Sequence, residues 1–230
     1  MPQLQRDGDV FVLDLNVGGA RDTENRFSPE WLAEVDQLLE EVLASTGDAA
    51  LVTTGTGKFY SNGLDLDWLS GHLDQTASYV ATIQSLLATV LTFPMVTVAA
   101  MNGHTFAGGG MLALAHDTRV MRVDRGFFCL PEVDIHIPFT AGMAALIQAR
   151  LSKATAHEAM TTARRYGGTD ALGAGIVDET AAEADVLGRA VARAGALTGK
   201  RGDTLAAIKT TMYGPAVRAL RESAGISLGG

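Results

Sequence analysis

The chain has 230 residues, of which 47% are hydrophobic, enough for one large core at the upper end of single-domain size. A net charge of −8 and a pI near 5.0 speak against nucleic acid or an anionic membrane surface as the main partner, so a polyanionic ligand has to be held by local groups. The single cysteine, Cys129, excludes an internal disulfide framework and a multi-cysteine metal site, and reads as a small buried hydrophobe.

Residues 1–14 carry Arg6, Asp7 and Asp9 ahead of a short apolar run, which is not the basic-then-apolar layout of a secretory signal, and a cytoplasmic location is expected. Residues 10–15 and 48–54 read as buried strands, the second closed by Gly55, Thr56 and Gly57. Between them Ser28 is placed as an N-cap and Pro29 in the first turn of a helix whose Trp31, Leu32, Val35, Leu38, Leu39, Val42 and Leu43 recur at helical spacing. A second helix is predicted over 76–91, ending before Pro94, with a strand over 95–100. The apolar stretch 86–101 is broken by Pro94 and too short to span a bilayer. Three glycines open the apolar segment 108–115, strands are expected over 118–123 and 127–130, and helices over 141–151, 155–163 and 181–197. This alternation implies a layered α/β core with parallel crossovers, in a single domain 1–230 that turns mostly helical from about residue 151.

Several familiar motifs fail. Gly55 to Phe59 (GTGKF) has Val52 where a phosphate-binding loop needs its first glycine and Phe59 where it needs Ser or Thr. The triplet Gly108 to Gly110 is followed by Ala113 where a dinucleotide fingerprint needs a third glycine, and no G-x-S-x-G elbow is present. His72, His104, His116, His136 and His157 are scattered without metal-ligand spacing, and no metal is expected.

Two glycine-containing turns remain, F-Y-S-N-G-L-D-L over 59–66 and N-G-H-T-F-A-G-G-G over 102–110, each just after a predicted strand. Taken singly, each reads more simply as a tight turn. Together they could present backbone N–H groups to an anionic oxygen, because glycine permits close approach and the first turn of a helix leaves donors without intrahelical partners.

With Pro131-Glu132 downstream, these loops resemble the crotonase (enoyl-CoA hydratase/isomerase) superfamily over about residues 8–180. The family's first loop reads roughly F-x-A-G-x-D-[IL], with Asn62 here in place of alanine, and its second G-x-[AC]-x-G-G-G. The run Glu132-Val133-Asp134-Ile135 is similar to the Δ3,Δ2-enoyl-CoA isomerase branch.

The resemblance implies a crotonase-like (ClpP/crotonase) spiral of ββα units with C-terminal helices. It also implies an oxyanion hole from the N–H groups of Leu64 and Gly109, with Glu132 as the acid–base group. Arg26, Lys58, Ser61, Gly63, Asp65, Leu66 and Gly108 are the implied CoA and substrate contacts, Arg21 a further phosphate contact, and Asp65 also orients its loop. Trp68, Leu69, Phe139 and Met143 are readable either as acyl-channel wall or as core, and the segment after Pro138 departs from the family pattern.

Hydratases of the family use two glutamates, and Leu112 occupies the first position, which is expected to leave the site wall apolar. One carboxylate suffices to shuttle one proton, so an isomerase of fatty-acid metabolism is the expected activity. Asp134, two residues beyond Glu132, is the rival base if the segment is extended. Thioester hydrolysis, decarboxylation, hydration or acyl-CoA binding without turnover are the alternatives. No cofactor is implied beyond the coenzyme A of the substrate, and a homotrimer or dimer of trimers is expected.

Overall fold

The structure, a computed structural model, describes residues 1–16, 20 and 23–222. The chain opens with β1 (Gln3–Asp7), β2 (Val10–Asp14), β3 (Arg26–Phe27), α1 (Pro29–Ala44) and β4 (Ala50–Thr54). Then come β5 (Phe59–Ser61), β6 (Gly63–Leu64), α2 (Leu66–Ser70), α3 (Thr76–Leu91), β7 (Val96–Met101), β8 (His104–Phe106) and α4 (Gly108–Ala115). The remainder forms β9 (Thr118–Arg122), β10 (Phe128–Cys129), α5 (Ala141–Arg150), α6 (Lys153–Thr162), α7 (Gly168–Gly173), β11 (Glu179–Ala181), α8 (Glu183–Gly195), α9 (Asp203–Met212) and α10 (Gly214–Arg221).

A sheet of order β1-β2-β4-β7-β9-β11 organises the molecule, antiparallel at β1–β2 and parallel elsewhere. Every residue of β4 and β7 is buried, as a parallel sheet covered on both faces requires. Alternation along β4 sends Leu51 into the main core, while Ala50 and Val52 join Val98, Ala100 and Val120 in a smaller core against Val186, Ala190 and Ala194 of α8.

The expected signals hold for α1. The Ser28 hydroxyl accepts from Trp31 N–H at 3.2 Å, Pro29 stands in the first turn, and Trp31, Leu32, Val35, Leu39 and Val42 are buried. Helix α3 fills the range expected for it. The helix expected from residue 181 starts instead at Glu183, because β11 claims 179–181 by parallel pairing with β9. Strands β3, β5, β6 and β8 are two or three residues long, too short to show a period of their own.

The C-terminal helices are held by a buried lysine and a half-buried arginine. Lys209 of α9 donates to the carbonyls of Phe93 (3.0 Å) and Met95 (2.9 Å) and to the Asp117 carboxylate (2.6 Å). Arg150, ending α5, donates to the carbonyls of Leu114, His116 and Asp117.

Candidate active site

A second sheet, of order β10-β8-β5, places the chemistry. All three of its strands are parallel, so their carboxyl ends emerge on one side, where open α/β sheets bind ligands. β5 leads into Gly63-Leu64, β8 into Ala107 and the glycines of α4, and β10 into Pro131-Glu132. The two glycine loops touch backbone to backbone. A methyl group on Gly63, whose φ is +77°, would lie 2.5 Å from Gly108 N, and one on Gly109 would collide with the Ser61 carbonyl oxygen. Ala107 adopts φ +49°, ψ −122°, a conformation that costs a non-glycine residue energy and turns the chain abruptly into α4. The first bond of that helix runs from Met111 N–H to the Ala107 carbonyl, so the N–H groups of Gly108, Gly109 and Gly110 precede the helical ladder.

A cavity of about 290 Å³ opens there, lined by Arg26, Asn62, Leu64, Leu66, Asp67, Ala107, Pro131, Glu132, Ile135 and Ile137. Glu132 is its buried acid, 6% exposed, and its Oε2 has no hydrogen-bond partner among the described residues. Burial pushes its carboxyl up to about 7, against a small opposing effect of its own backbone N–H. A second, more open cavity of about 510 Å³ also borders Glu132, with Val133, His136, Ile137, Pro138, Phe139 and Met160.

Two expectations are corrected. The segment after Pro131 is not extended: Asp134 and Ile135 donate their N–H groups to the Pro131 carbonyl and Ile137 donates to that of Glu132. This tight turn leaves Asp134 exposed and away from both cavities. Leu112 does not form the apolar wall. It lies 2% exposed in the main core, and Leu64, Leu66, Ala107, Ile135 and Ile137 supply the wall.

The proposed substrate contacts divide. Leu64, Leu66 and Arg26 reach the cavity, but Arg26 is already engaged by Glu24 (2.5 Å), Asp67 and Asp65 (3.6 Å). Hydrogen bonds to Asp67 and Glu24 hold its guanidinium deeper in the charged form, so it closes the rim as part of a carboxylate network. Ser61 is fully buried, donating to the Asn25 carbonyl (2.8 Å) and accepting from Gly63 N–H (3.0 Å), which makes it a strut of the loop. Asp65 caps α2 by accepting from Trp68 N–H (3.2 Å), and its own N–H donates to the Tyr79 hydroxyl (2.8 Å). Gly63 and Gly108 make the backbone contact. Lys58 is exposed, with its Nζ 5.1 Å from the Phe59 ring centre, and does not line this cavity. Arg21 lies outside the described residues.

Of the four channel candidates, Phe139 borders the second cavity, Leu69 and Met143 are core, and Trp68 lines a separate groove with Tyr79. The sequence reading missed Ala107, Ile135 and Ile137 as lining residues. Ala107 was findable as the residue just before the glycine triplet. Tyr79, whose hydroxyl bridges Asp65 N–H and the Phe27 carbonyl, carried no local signal.

Among the described residues, no group of His, Cys, Asp and Glu side chains forms a potential metal site, and no helix is long and apolar enough to cross a membrane. The family model described as enoyl-CoA hydratase/isomerase matches residues 10–227. The chain is similar to enoyl-CoA delta isomerase 3 of Arabidopsis thaliana, 37% identical with 93% of this chain and 92% of that protein covered. The peroxisomal enoyl-CoA delta isomerase 2 of the same plant is 36% identical with the same coverage. The structure of human mitochondrial delta3-delta2-enoyl-CoA isomerase superposes with a TM-score of 0.87 over 95% of this chain and 85% of that one, at 23% identity, a likeness of fold.

Proposed function

Because the chain belongs to the enoyl-CoA hydratase/isomerase family and has the crotonase fold, we propose that it is a Δ3,Δ2-enoyl-CoA isomerase acting through Glu132. The observation that carries the reading is the carboxyl of Glu132, among the described residues the one buried acid at this cavity. It faces an apolar cavity between the two glycine loops, with one oxygen unpartnered and its affinity for a proton raised to near neutrality.

Glu132 removes a proton from C2 of a 3-enoyl-CoA. The negative charge moves onto the thioester oxygen, where the N–H groups of Leu64 and Gly109 stabilise it, and Glu132 returns the proton at C4 to give the conjugated 2-enoyl-CoA. A group with its pKa near the working pH can both take and give the proton. Oxyanion donors of this kind are each worth roughly 10²–10³ in rate. Among the described residues lining the cavity there is no second buried carboxyl, Asp67 being exposed and paired with Arg26, which supports double-bond migration over hydration. No cofactor takes part beyond the coenzyme A of the substrate.

The reading includes a cytoplasmic enzyme assembled as a homotrimer or dimer of trimers. Ile208 and Met212, one turn apart on α9, are 51% and 63% exposed, an apolar stripe suited to contact with a second copy. Appearance of the conjugated product from a 3-enoyl-CoA, followed by ultraviolet absorbance, tests the activity. Substrate that is hydrolysed, hydrated or merely bound overturns it.

A further inference from the structure

A buried polar chain runs from β5 through β4 to the end of α4. The Tyr60 hydroxyl lies 2.7 Å from Thr53 Oγ1, which lies 2.9 Å from His116 Nε2, and His116 Nδ1 lies 2.8 Å from the Leu112 carbonyl oxygen. Tyr60 and His116 are fully buried and Thr53 is 2% exposed. The proton positions follow from chemistry. A carbonyl only accepts, so Nδ1 carries the proton. Burial holds the imidazole down to about 4, so the ring is neutral at physiological pH and Nε2 accepts from the Thr53 hydroxyl. Thr53 Oγ1 in turn accepts from Tyr60. Each hydrogen bond has one donor and the chain has one direction.

One end of this chain is on α4, which carries Gly109, and the other is on β5, which runs into Leu64 of β6. Tyr60 belongs to β5, four residues before Leu64. Leu112 belongs to α4, about 4.5 Å along the helix from Gly109. The last-turn carbonyls of a helix have no intrahelical partners, and here side chains and backbone take them. The His116 ring holds Leu112, the His116 N–H holds Ala113 at 3.2 Å, and Arg150 holds Leu114 at 2.8 Å. Apolar residues of similar shape would satisfy a core equally well, since removing both partners of a buried hydrogen bond is nearly neutral for stability. What hydrogen bonds add is a fixed distance and direction between β5, β4 and α4.

We propose that His116, acting through Thr53 and Tyr60, is a positioning residue for the oxyanion hole. It holds α4 in register with β5 so that the Leu64 and Gly109 N–H groups converge on one oxygen. This inference rests on the oxyanion-hole reading of the site.

Thr53→Val, Thr53→Ser and Tyr60→Phe test it, with two readouts. The first is the split between kcat and KM for a 3-enoyl-CoA. The second is the near-ultraviolet absorbance of bound acetoacetyl-CoA, whose enolate fraction reports stabilisation of a thioester oxyanion without any isomerisation. Expected for Thr53→Val is a fall in kcat of roughly tenfold or more with KM changed by less than about twofold, and a smaller bound enolate fraction. Thr53→Ser restores both, and Tyr60→Phe lowers both by a smaller factor. Unchanged kcat and enolate fraction in folded Thr53→Val overturn the proposal, as does a Ser variant as impaired as Val. Should Thr53→Val not fold, an unaltered enolate fraction in Tyr60→Phe overturns it. If the unaltered protein binds acetoacetyl-CoA as enolate but does not isomerise, the isomerase reading fails while the enolate readout still decides the role of His116.

Discussion

At the scale of single residues, the proposed role of Glu132 sets stability against catalysis. Its folded-state pKa near 7 stands above the ordinary 4.5, so between these values the folded chain keeps a proton that the unfolded chain has released. Stability therefore falls as pH rises through that window, by on the order of 3 kcal/mol. Denaturation at pH 5 and pH 8 is expected to show this slope, and Glu132→Gln to remove it; an equal slope in both proteins would mean that Glu132 is not the group responsible. On the proposed role of Glu132, activity is expected to run the other way: kcat/KM should rise with pH as the free carboxyl ionises, with an apparent pKa near 7. Glu132→Gln keeps the shape but cannot carry a proton, so isomerisation should drop by at least roughly 10²–10⁴ with thioester binding nearly intact. If Asp134→Asn has that effect instead, the base is misassigned.

At the scale of elements, the loops depend on backbones that meet where no Cβ fits. Gly63→Ala places a side chain at φ +77° and 2.5 Å from Gly108 N, and a loss of more than about 3 kcal/mol is expected in chemical denaturation. Gly188, inside α8 with open space around its Cβ position, is the contrast: Gly188→Ala should stabilise by about 0.5–1 kcal/mol. Opposite signs are the expected result, and equal effects would show that the close approach at Gly63 is not rigid. These glycines, the capped α1 and the parallel core strands were legible because their signals are local: a period, a cap, a residue without Cβ. The short strands β5 and β8 were not, because they are defined by pairing rather than by any run of their own, whereas β10 lies within the strand expected over 127–130. The placement of Asp134 failed for a related reason. An extended chain and a turn closed on the Pro131 carbonyl have the same composition, and only the hydrogen bonds separate them. The engagement of Arg26 by Asp67, forty-one residues away, likewise belongs to tertiary structure.

At the scale of the whole molecule, the helical part is fastened to the sheet by a few charged side chains. Lys209 is 4% exposed and anchors α9 through Asp117 and two carbonyls, so Lys209→Ala should cost on the order of 3 kcal/mol by stranding its partners. A change below about 0.5 kcal/mol, the scale of an ordinary surface substitution, would show that packing alone holds the helix. Light scattering is expected to give the mass of three or six chains, and a monomer at micromolar concentration would remove the proposed assembly. The most direct measurement gives the protein a 3-enoyl-CoA and, separately, the conjugated 2-enoyl-CoA, and follows ultraviolet absorbance in both. Expected is a rise with the first that Glu132→Gln abolishes, and no comparable fall with the second; hydration of the 2-enoyl-CoA as fast as isomerisation, or isomerisation that survives the loss of Glu132, would contradict a single-carboxylate isomerase.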